Sequence, residues 1–190
     1  LYESKSGERG IFNRQAAKDM VPERRDNSYE FGVNPCSEIL LRPREFCNLS
    51  EVVCRPDDTL ATIRKKVAQA TWIGTIQSTL TDFRYLSAPW KSNTEEERLL
   101  GVSLTGIMDC PAILNATDKE LQGLRDHAIK ENVSAAKELG IPESAAITCV
   151  KPSGTVSQLV NSSSGIHPQH NSHFIRRVRN DKKEPISTVM

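Results

Sequence analysis

Two segments of the chain carry apolar residues at the spacing of an amphipathic helix. The first follows Asp57-Asp58-Thr59, which places acidic residues at the positive end of a helix that runs on to Leu80. The second begins at the capping box Thr117-x-x-Glu120 and is stopped by Gly140 and Pro142. The positions predicted to face the core are Leu60, Ile63, Val67, Ala70, Ile73 (or Trp72), Ile76 and Leu80 in the first helix, and Leu121, Leu124, Ala128 and Val133 in the second.

Shorter apolar runs between these helices predict strands. Residues 46–53 and 145–150 are rich in strand-forming residues, and residues 99–108 suit a buried strand or a tightly packed turn with Gly101 and Gly106. Because strands alternate with helices, the pattern indicates an α/β fold.

Other local signals are weaker. A short helix is expected over residues 13–20, ending before Pro22. The run Thr-Glu-Glu-Glu at residues 94–97 predicts a further capping box. A last strand is expected over residues 176–179, before a charged turn at residues 180–183.

The apolar stretch at residues 31–41 is split by Asn34-Pro35, which predicts a tip or loop rather than a central strand. On an extended loop, Asn34, Cys36 and Glu38 would point to the same side, so that an amide, a thiol and a carboxylate meet one ligand. Cys47 begins the next strand and could return beside Cys36. On spacing alone, two buried cysteines that act as small hydrophobic residues remain an alternative.

Residues 151–157 read Lys-Pro-Ser-Gly-Thr-Val-Ser, between a short strand and an apparent helix start. Small hydroxylated residues and a glycine leave backbone N–H groups open to an anion at such a place. The spacing of the Walker loop is absent. Taken alone, the segment favours an ordinary capped turn over a phosphate site.

Composition narrows the class of protein. The 190 residues suffice for one domain with a buried core. A net charge of +1 gives no electrostatic case for binding nucleic acid or an acidic membrane, and no run of apolar residues is long enough to span a bilayer. The polar N-terminus carries no secretory signal, so a cytoplasmic protein with reduced thiols is expected. Because the chain begins at Leu1, we also expect it to be excised from something longer.

The other cysteines, the histidines and the basic residues near the C-terminus are expected to have no part in a functional site. Five cysteines without a C-x-x-C pair disfavour a disulfide framework or a zinc module. Pro168 disfavours a regular helix that would bring three histidines together, so no metal site is expected. The residues concerned are Cys54, Cys110 and Cys149 as structural cysteines, His167, His170 and His173 as the histidines, and Arg176, Arg177, Arg179, Lys182 and Lys183 as a solvated basic face.

Several motifs together resemble the adenosylcobalamin-dependent ribonucleotide reductases. Asn-Pro-Cys-Ser-Glu-Ile at residues 34–39, followed by Cys-Asn-Leu-Ser-Glu-Val at residues 47–52, is similar to the finger-loop region of that family. The proline after Asn34 favours the cobalamin-dependent class over the di-iron class. The likeness continues through residues 75–84, 94–108, 147–157 and 161–168, and so covers nearly the whole chain.

The resemblance implies a role for each matching residue. Cys36 matches the thiyl-radical cysteine that takes the 3′ hydrogen of the ribose, and Glu38 matches the carboxylate that accepts the 3′-hydroxyl proton. Asn34 matches an amide that orients the substrate hydroxyls, and Cys47 one of two cysteines that reduce the substrate and become a disulfide. The residues that match the substrate's phosphate-binding loop are Ser153, Gly154, Thr155, Val156 and Ser157.

The resemblance also implies the fold, the cofactor and the partners. The family fold is a ten-stranded radical α/β barrel, of which this chain would be a fragment of the single catalytic domain. Residues 1–30 would be an irregular lead-in, residues 31–54 the finger loop and a strand, and residues 55–190 α/β units with the phosphate loop. Adenosylcobalamin would be the cofactor, a ribonucleoside triphosphate the substrate, and thioredoxin or a similar dithiol the reductant.

Parts of the family pattern have no match here. The second cysteine of the reducible pair, the C-terminal cysteines, and recognisable cobalamin and effector sites are missing. We therefore expect turnover to need the remaining segments of a reductase. Two alternatives stay open: a reductase of another radical class that acts on diphosphates, and an inactive remnant or interaction module. The intact set of Asn34, Cys36, Glu38 and Cys47 argues against a remnant.

Overall fold

The computed structural model describes residues 2–3, 5, 10–175, 177 and 179–189. Helices and strands both occur along the chain, but they do not alternate strictly as the sequence predicts: β1, β2 and β3 follow one another, and only helices follow β4 within the described residues. In chain order they are α1 (Arg14–Met20), β1 (Gly32–Val33), β2 (Leu40–Leu41), β3 (Leu49–Val53), α2 (Leu60–Gln77), α3 (Ala88–Glu97), β4 (Gly101–Thr105), a 3₁₀ turn (Ile107–Asp109), α4 (Pro111–Leu114), α5 (Asp118–Leu139), α6 (Thr155–Leu159) and α7 (Pro185–Val189).

A parallel sheet forms the centre of the fold. β3 and β4 pair in parallel, with Leu49 opposite Gly101. Parallel neighbours need a crossover connection, which α2 and α3 supply here. The segment at residues 146–149, where the sequence predicts a strand, runs beside β4 but forms only an isolated parallel bridge between Val102 and Thr148. The α/β class is therefore confirmed.

The core lies between the sheet and two helices. α2 packs on β3 and β4, and α5 packs on α2. Cys54 and Cys110 are completely buried there, in keeping with structural roles. The other fully enclosed or nearly enclosed core residues include Val52, Ile63, Val67, Ala70, Leu100, Val102, Ile113, Leu124, Ala128 and Ile147.

The predicted apolar face of α2 is wrong in its second half. Ile73 and Ile76 are 60% and 51% exposed, and the helix ends before Leu80, which is 71% exposed. The buried face carries Thr71, Gly74 and Thr75 instead. The reason is a close approach: a Cβ on Gly74 would lie 3.2 Å from the Leu100 side chain, so only a small residue fits against the sheet.

The predicted face of α5 is likewise only partly right. Leu124 and Ala128 are buried, whereas Leu121 and Val133 are 39% and 37% exposed. Asn132 is completely buried in their place. Its side chain donates to Thr75 Oγ1 and Ser144 Oγ, and accepts from the Ser144 N–H, so the buried amide is fully paired.

The predictions of helix capping are also only partly right. Thr117 and Glu120 form the predicted capping box, and Asn13 caps α1. The predicted box at residues 94–97 is wrong because α3 starts earlier, with Pro89 in its first turn, and ends at Glu97. Thr94 lies inside that helix and donates to the Trp90 carbonyl. Arg176 and Val178, and with them the strand predicted over residues 176–179, lie outside the described residues.

Candidate functional site

The hairpin of β1 and β2 ends in a closed tip at residues 34–39. Asn34 closes it twice, because its N–H donates to the Ile39 carbonyl (3.3 Å) and its Oδ1 accepts from the Ile39 N–H (3.1 Å). The Ser37 N–H donates to the Asn34 carbonyl, and Ser37 has a φ of 64°. The tip is thus a tight turn, as Pro35 predicted. The extended alternation expected for this loop is wrong, because the chain reverses direction at Ser37.

Cys36 and Glu38 nevertheless meet, at a residue from the far end of the chain. Nζ of Lys151 donates to Oε1 of Glu38 (2.7 Å) and lies 3.6 Å from Sγ of Cys36. The Glu38 side chain is only 5% exposed, whereas Cys36 is exposed at the tip. Within the described part of the chain, the buried Oε2 of Glu38 has no hydrogen-bond partner. One carboxylate oxygen is therefore held, and the other is free for a ligand.

The ion pair sets the charge of this site. Burial would raise the pKa of Glu38, but the hydrogen bond from Lys151 and the nearby Asn34 side chain outweigh it and lower that pKa. The same hydrogen bond from Lys151 to Glu38 raises the pKa of the lysine. Both groups are therefore charged at neutral pH, and Glu38 can act as a proton acceptor.

The bridged segment at residues 146–149 brings Cys149 close to this site. Gly101 of β4 leaves the room for it: a Cβ there would lie 2.5 Å from the Leu49 side chain, 3.1 Å from Sγ of Cys149 and 3.2 Å from the Ile39 side chain. Cys149 is half-buried under the hairpin, unlike the two core cysteines. Burial, and then the charge of Glu38, raise the pKa of Cys149 to about 12, so it is a neutral thiol.

Cys47 lies just before β3 and is exposed. Leu49, two residues further along the chain, and Sγ of Cys149 both approach Gly101. Among the described residues no hydrogen bond joins Cys47 to Cys36. The structure therefore places Cys36 with Glu38 and Lys151, and Cys47 on the side of Cys149.

Two residues of the loop at 151–157 have a positive φ, which glycine adopts easily and which strains other residues. Ser153 has a φ of 66°, and Gly154 has a φ of 56° with a ψ of −118°. Ser153 is 8% exposed, and its Oγ has no partner within the described residues. Ser157 is completely buried, and its Oγ donates to the Gly154 carbonyl (2.8 Å), while Thr155 and Val156 are exposed.

The segment that follows α6 supports this loop from below. Gly165 packs so closely that a Cβ would lie 2.5 Å from the Lys151 carbonyl oxygen, and Ser164 Oγ donates to the Pro152 carbonyl. Thr105, at the end of β4, donates to the Ser163 carbonyl (3.1 Å) and accepts from the Gly165 N–H (2.8 Å). The loop is thereby tied to the sheet.

The other candidates from the sequence lie away from this site. His167, His170 and His173 are exposed, and no cluster of metal-binding side chains occurs in the part of the chain that the structure describes. Arg177, Arg179, Lys182 and Lys183 are exposed, as expected for a solvated face. None of the helices within the described ranges has the length and apolar character to cross a membrane.

Sequence reasoning missed two members of the site, Lys151 and Cys149. A signal for them was present. They lie two residues apart at the end of an apolar run, and alternation along an extended segment puts such residues on one side. Lys151 also heads the loop proposed to bind phosphate.

Comparison with known proteins supports the resemblance found in the motifs. No family model matches the chain. An adenosylcobalamin-dependent ribonucleoside-triphosphate reductase of Lactobacillus helveticus is 27% identical over 215 residues, covering 95% of this chain and 28% of that protein. The enzyme of the same name from Lacticaseibacillus paracasei is 27% identical over 223 residues, covering 96% of this chain and 28% of its own length.

A solved structure agrees with the sequence relatives. A crystal structure of a B-12 dependent (class II) ribonucleotide reductase matches 72% of this chain and 22% of that chain, with a TM-score of 0.56 and 25% identity. The chain is therefore similar in sequence and in fold to adenosylcobalamin-dependent ribonucleotide reductases. The predicted resemblance is confirmed. The chain spans less than a third of the length of these reductases, and it corresponds to one segment of them.

Proposed function

We propose that this chain supplies the radical cysteine, the general base and the phosphate loop of an adenosylcobalamin-dependent ribonucleoside-triphosphate reductase. The observation that carries the proposal is the meeting of Cys36 and Glu38 at Lys151, which also begins the loop at residues 151–157. The homologous reductases, of which this chain spans 28%, support it independently.

Cys36 is the proposed radical residue. Adenosylcobalamin, when bound, would supply the radical that oxidises the Cys36 thiol. Of the described residues, Cys36 is the one that such a group would have to reach, and its exposure at the hairpin tip leaves it open to a bulky cofactor. As a thiyl radical, Cys36 would take the 3′ hydrogen of the ribose and return it at the end of the reaction.

Glu38 is the proposed base. Its free Oε2 is buried beside the thiol, where it can accept the proton of the 3′-hydroxyl while the hydroxyl at C2′ leaves as water. A general base must lie within hydrogen-bond reach of the proton that it takes, and a single ammonium already holds Glu38 and Cys36 together. The Asn34 side chain borders Glu38 and would orient the substrate hydroxyls.

Cys47 is proposed as one of the two reducing thiols. Two thiols give up two electrons and two protons and become a disulfide, which balances the loss of the 2′-hydroxyl as water. As in the family, the second thiol would come from another segment of the reductase. An external dithiol such as thioredoxin would then restore the pair by exchange, and the exposure of Cys47 allows that access.

The loop at residues 151–157 is proposed to bind the substrate's phosphates. The buried and unpartnered hydroxyl of Ser153 supports this proposal, because a buried polar group without a partner is costly unless a ligand completes it. The loop residues proposed to contact phosphate, through backbone N–H groups or hydroxyls, are Ser153, Gly154, Thr155, Val156 and Ser157.

The remaining parts of the account concern the whole protein. We propose that the parallel strands β3 and β4 and the segment at residues 146–149 are part of a ten-stranded barrel in a single catalytic domain, completed by the remaining segments of a cytoplasmic reductase. Residues 1–30 would lead into the finger loop and strand at residues 31–54, and residues 55–190 would supply the α/β units. On this account the 190 residues alone do not turn over.

The test is an anaerobic assay of the intact natural protein with a dithiol. Ribonucleoside triphosphates and diphosphates are compared, each with and without adenosylcobalamin, and deoxynucleotide is measured. Formation of deoxynucleoside triphosphate only with the cobalamin is expected. Reduction of diphosphates with a different radical source would move the protein to another reductase class, and no reduction under any condition would favour an inactive remnant.

A further inference from the structure

The scheme above uses the contact of Lys151 with the hairpin tip as evidence, but it assigns no task to the lysine itself. Lys151 and Glu38 are 113 residues apart in the chain, yet they form a hydrogen-bonded ion pair with little exposed surface. The same Nζ reaches Cys36. We infer that Lys151 is a positioning residue, which fixes the base Glu38 beside the radical cysteine and links both to the phosphate loop. The inference rests on the proposed function.

The geometry assigns the lysine to one oxygen of the carboxylate only. Lys151 occupies Oε1 of Glu38, and Oε2 remains buried without a partner among the described residues. An ammonium carries three donors and no acceptor, so Lys151 can hold Oε1 and the Cys36 sulfur at once. The hydrogen bond from Lys151 thereby leaves Oε2 as the carboxylate oxygen that would accept the proton of a substrate hydroxyl.

The charge of Lys151 also keeps Glu38 in the form that the reaction needs. A side chain that is 5% exposed loses hydration of its anion, and this favours the protonated acid. The ammonium 2.7 Å away reverses that preference. Without Lys151, only the hydrogen bonds with the Asn34 side chain and with the backbone would oppose the effect of burial on the pKa of Glu38, so Glu38 would hold its proton to a higher pH.

Lys151 connects the hairpin tip at residues 34–39 with the loop at residues 151–157, because its side chain contacts the tip and its backbone begins the loop. Its main chain starts the loop of Ser153, and the Lys151 carbonyl is packed against Gly165. A substrate whose phosphates lie on that loop would thus be placed relative to the same residue that orients the base. A lysine that merely bound phosphate would behave differently, because its loss would weaken binding and not alter the base.

The decisive variants are Lys151→Met, which keeps the length of the side chain and removes the charge, and Lys151→Arg, which keeps the charge. Lys66→Met is the matched control, because Lys66 forms a similar pair with Asp58 at the other end of β3. The first readout needs no turnover: the Glu38 carboxyl is titrated by ¹³C NMR in the intact protein, and its signal is assigned with Glu38→Gln.

We expect Lys151→Met to raise the titration midpoint of Glu38, and Lys151→Arg and Lys66→Met to leave it nearly unchanged. In the reductase assay, kcat should fall about tenfold to a hundredfold in Lys151→Met, which is part of the roughly 10²–10⁴-fold that a positioned base contributes. The acidic limb of the kcat/KM profile should move to higher pH, KM should change little, and Lys151→Arg should restore most of the rate.

Two results would overturn the inference. One is a Glu38 titration that is the same in Lys151→Met as in the parent. The other is a rise in KM that grows with the number of substrate phosphates while kcat is unchanged, which would make Lys151 a phosphate ligand. If the parent protein shows no reductase activity at all, the proposed function fails, and the titration still decides whether Lys151 controls Glu38.

Discussion

Arg25 and Glu97 form a buried bidentate ion pair, with Nη2 to Oε2 at 2.6 Å and Nε to Oε1 at 3.1 Å. The side chains are 2% and 5% exposed. Arg25 also donates to Oε2 of Glu45 and to the carbonyl of Leu40 in β2. One guanidinium therefore ties the lead-in to the base of the hairpin that carries Cys36 and to the end of α3.

Replacement of Arg25 by Met should strongly destabilise the fold, because it removes the bidentate partner of the buried Glu97 carboxylate and leaves only the longer contact with Arg42 (3.7 Å). Breaking a buried pair by removing one partner costs about 3–5 kcal/mol. Denaturant unfolding of the intact protein measures this loss. Lys18→Met serves as the control, since Lys18 pairs with the exposed Glu30, and should change stability little. A loss in Arg25→Met no greater than in the control would contradict the account.

Glu45, in the same cluster, predicts a pH dependence of stability. Burial, and then the hydrogen bond with Glu97, raise the pKa of Glu45 from 4.5 to about 8. The folded state then binds more protons than the unfolded state between these values, so this group's contribution to stability is complete below pH 4.5 and is lost as the pH rises to about 8.

Glu45→Gln tests this directly, because the amide copies the protonated acid. Unfolding free energies, measured from roughly pH 5 to pH 8.5, should fall with pH in the parent and vary less in the variant. The Gln carbonyl can still accept from the Arg42 N–H, which Oε2 of Glu45 does in the parent (2.8 Å). Equal slopes for both proteins would show that Glu45 does not hold the proton.

Replacement by Ala should affect KM at Ser153 and the stability of the fold at Ser157. The Ser153 hydroxyl has no partner among the residues that the structure describes, so its loss should leave stability unchanged and raise KM about tenfold or more, as for a hydrogen bond to a charged group. Ser157 Oγ holds the Gly154 carbonyl, so its loss should lower stability. An unchanged KM in Ser153→Ala would remove Ser153 from the phosphate site.

Gly101 and Gly123 form a further matched pair. A Cβ on Gly101 would meet Leu49 at 2.5 Å and Cys149 at 3.1 Å, so Gly101→Ala should cost about 1–3 kcal/mol through overpacking. Gly123 lies in α5 with nothing within 4 Å of such a Cβ, and Gly123→Ala should stabilise by roughly 0.5–1 kcal/mol. Thermal unfolding reports both, and a tolerated Ala at position 101 would contradict the described packing.

What the sequence predicted well is what is encoded locally. Pro35 predicts the hairpin tip, and Thr117 with Glu120 predicts the start of α5, because each feature depends on residues a few positions apart. The core positions of α2 failed at Ile73 and Ile76 because the helix turns its small residues, such as Gly74, to the sheet. A pattern of hydrophobic residues does not show where a neighbouring side chain, such as that of Leu100, leaves room only for a small residue.

The contacts that the sequence could not supply are long-range and polar. Arg25, Glu45 and Glu97 look like solvated surface residues in the sequence, yet they are buried together. Lys151 and Glu38 are paired by the path of the chain through the sheet, and no local spacing encodes that path. Recognition of the motifs gave Cys36 and Glu38 their roles, whereas only the fold identified the lysine between them.

The measurement that tests the central claim most directly is reductase turnover of the intact protein with Cys36→Ser, assayed anaerobically with adenosylcobalamin and a dithiol. Ser37→Gly is the matched control, since it lies in the same tip and glycine suits the φ of 64° found there. We predict that Cys36→Ser abolishes deoxynucleotide formation with an intact fold and that Ser37→Gly retains it. Turnover that survives in Cys36→Ser would contradict the radical role of Cys36.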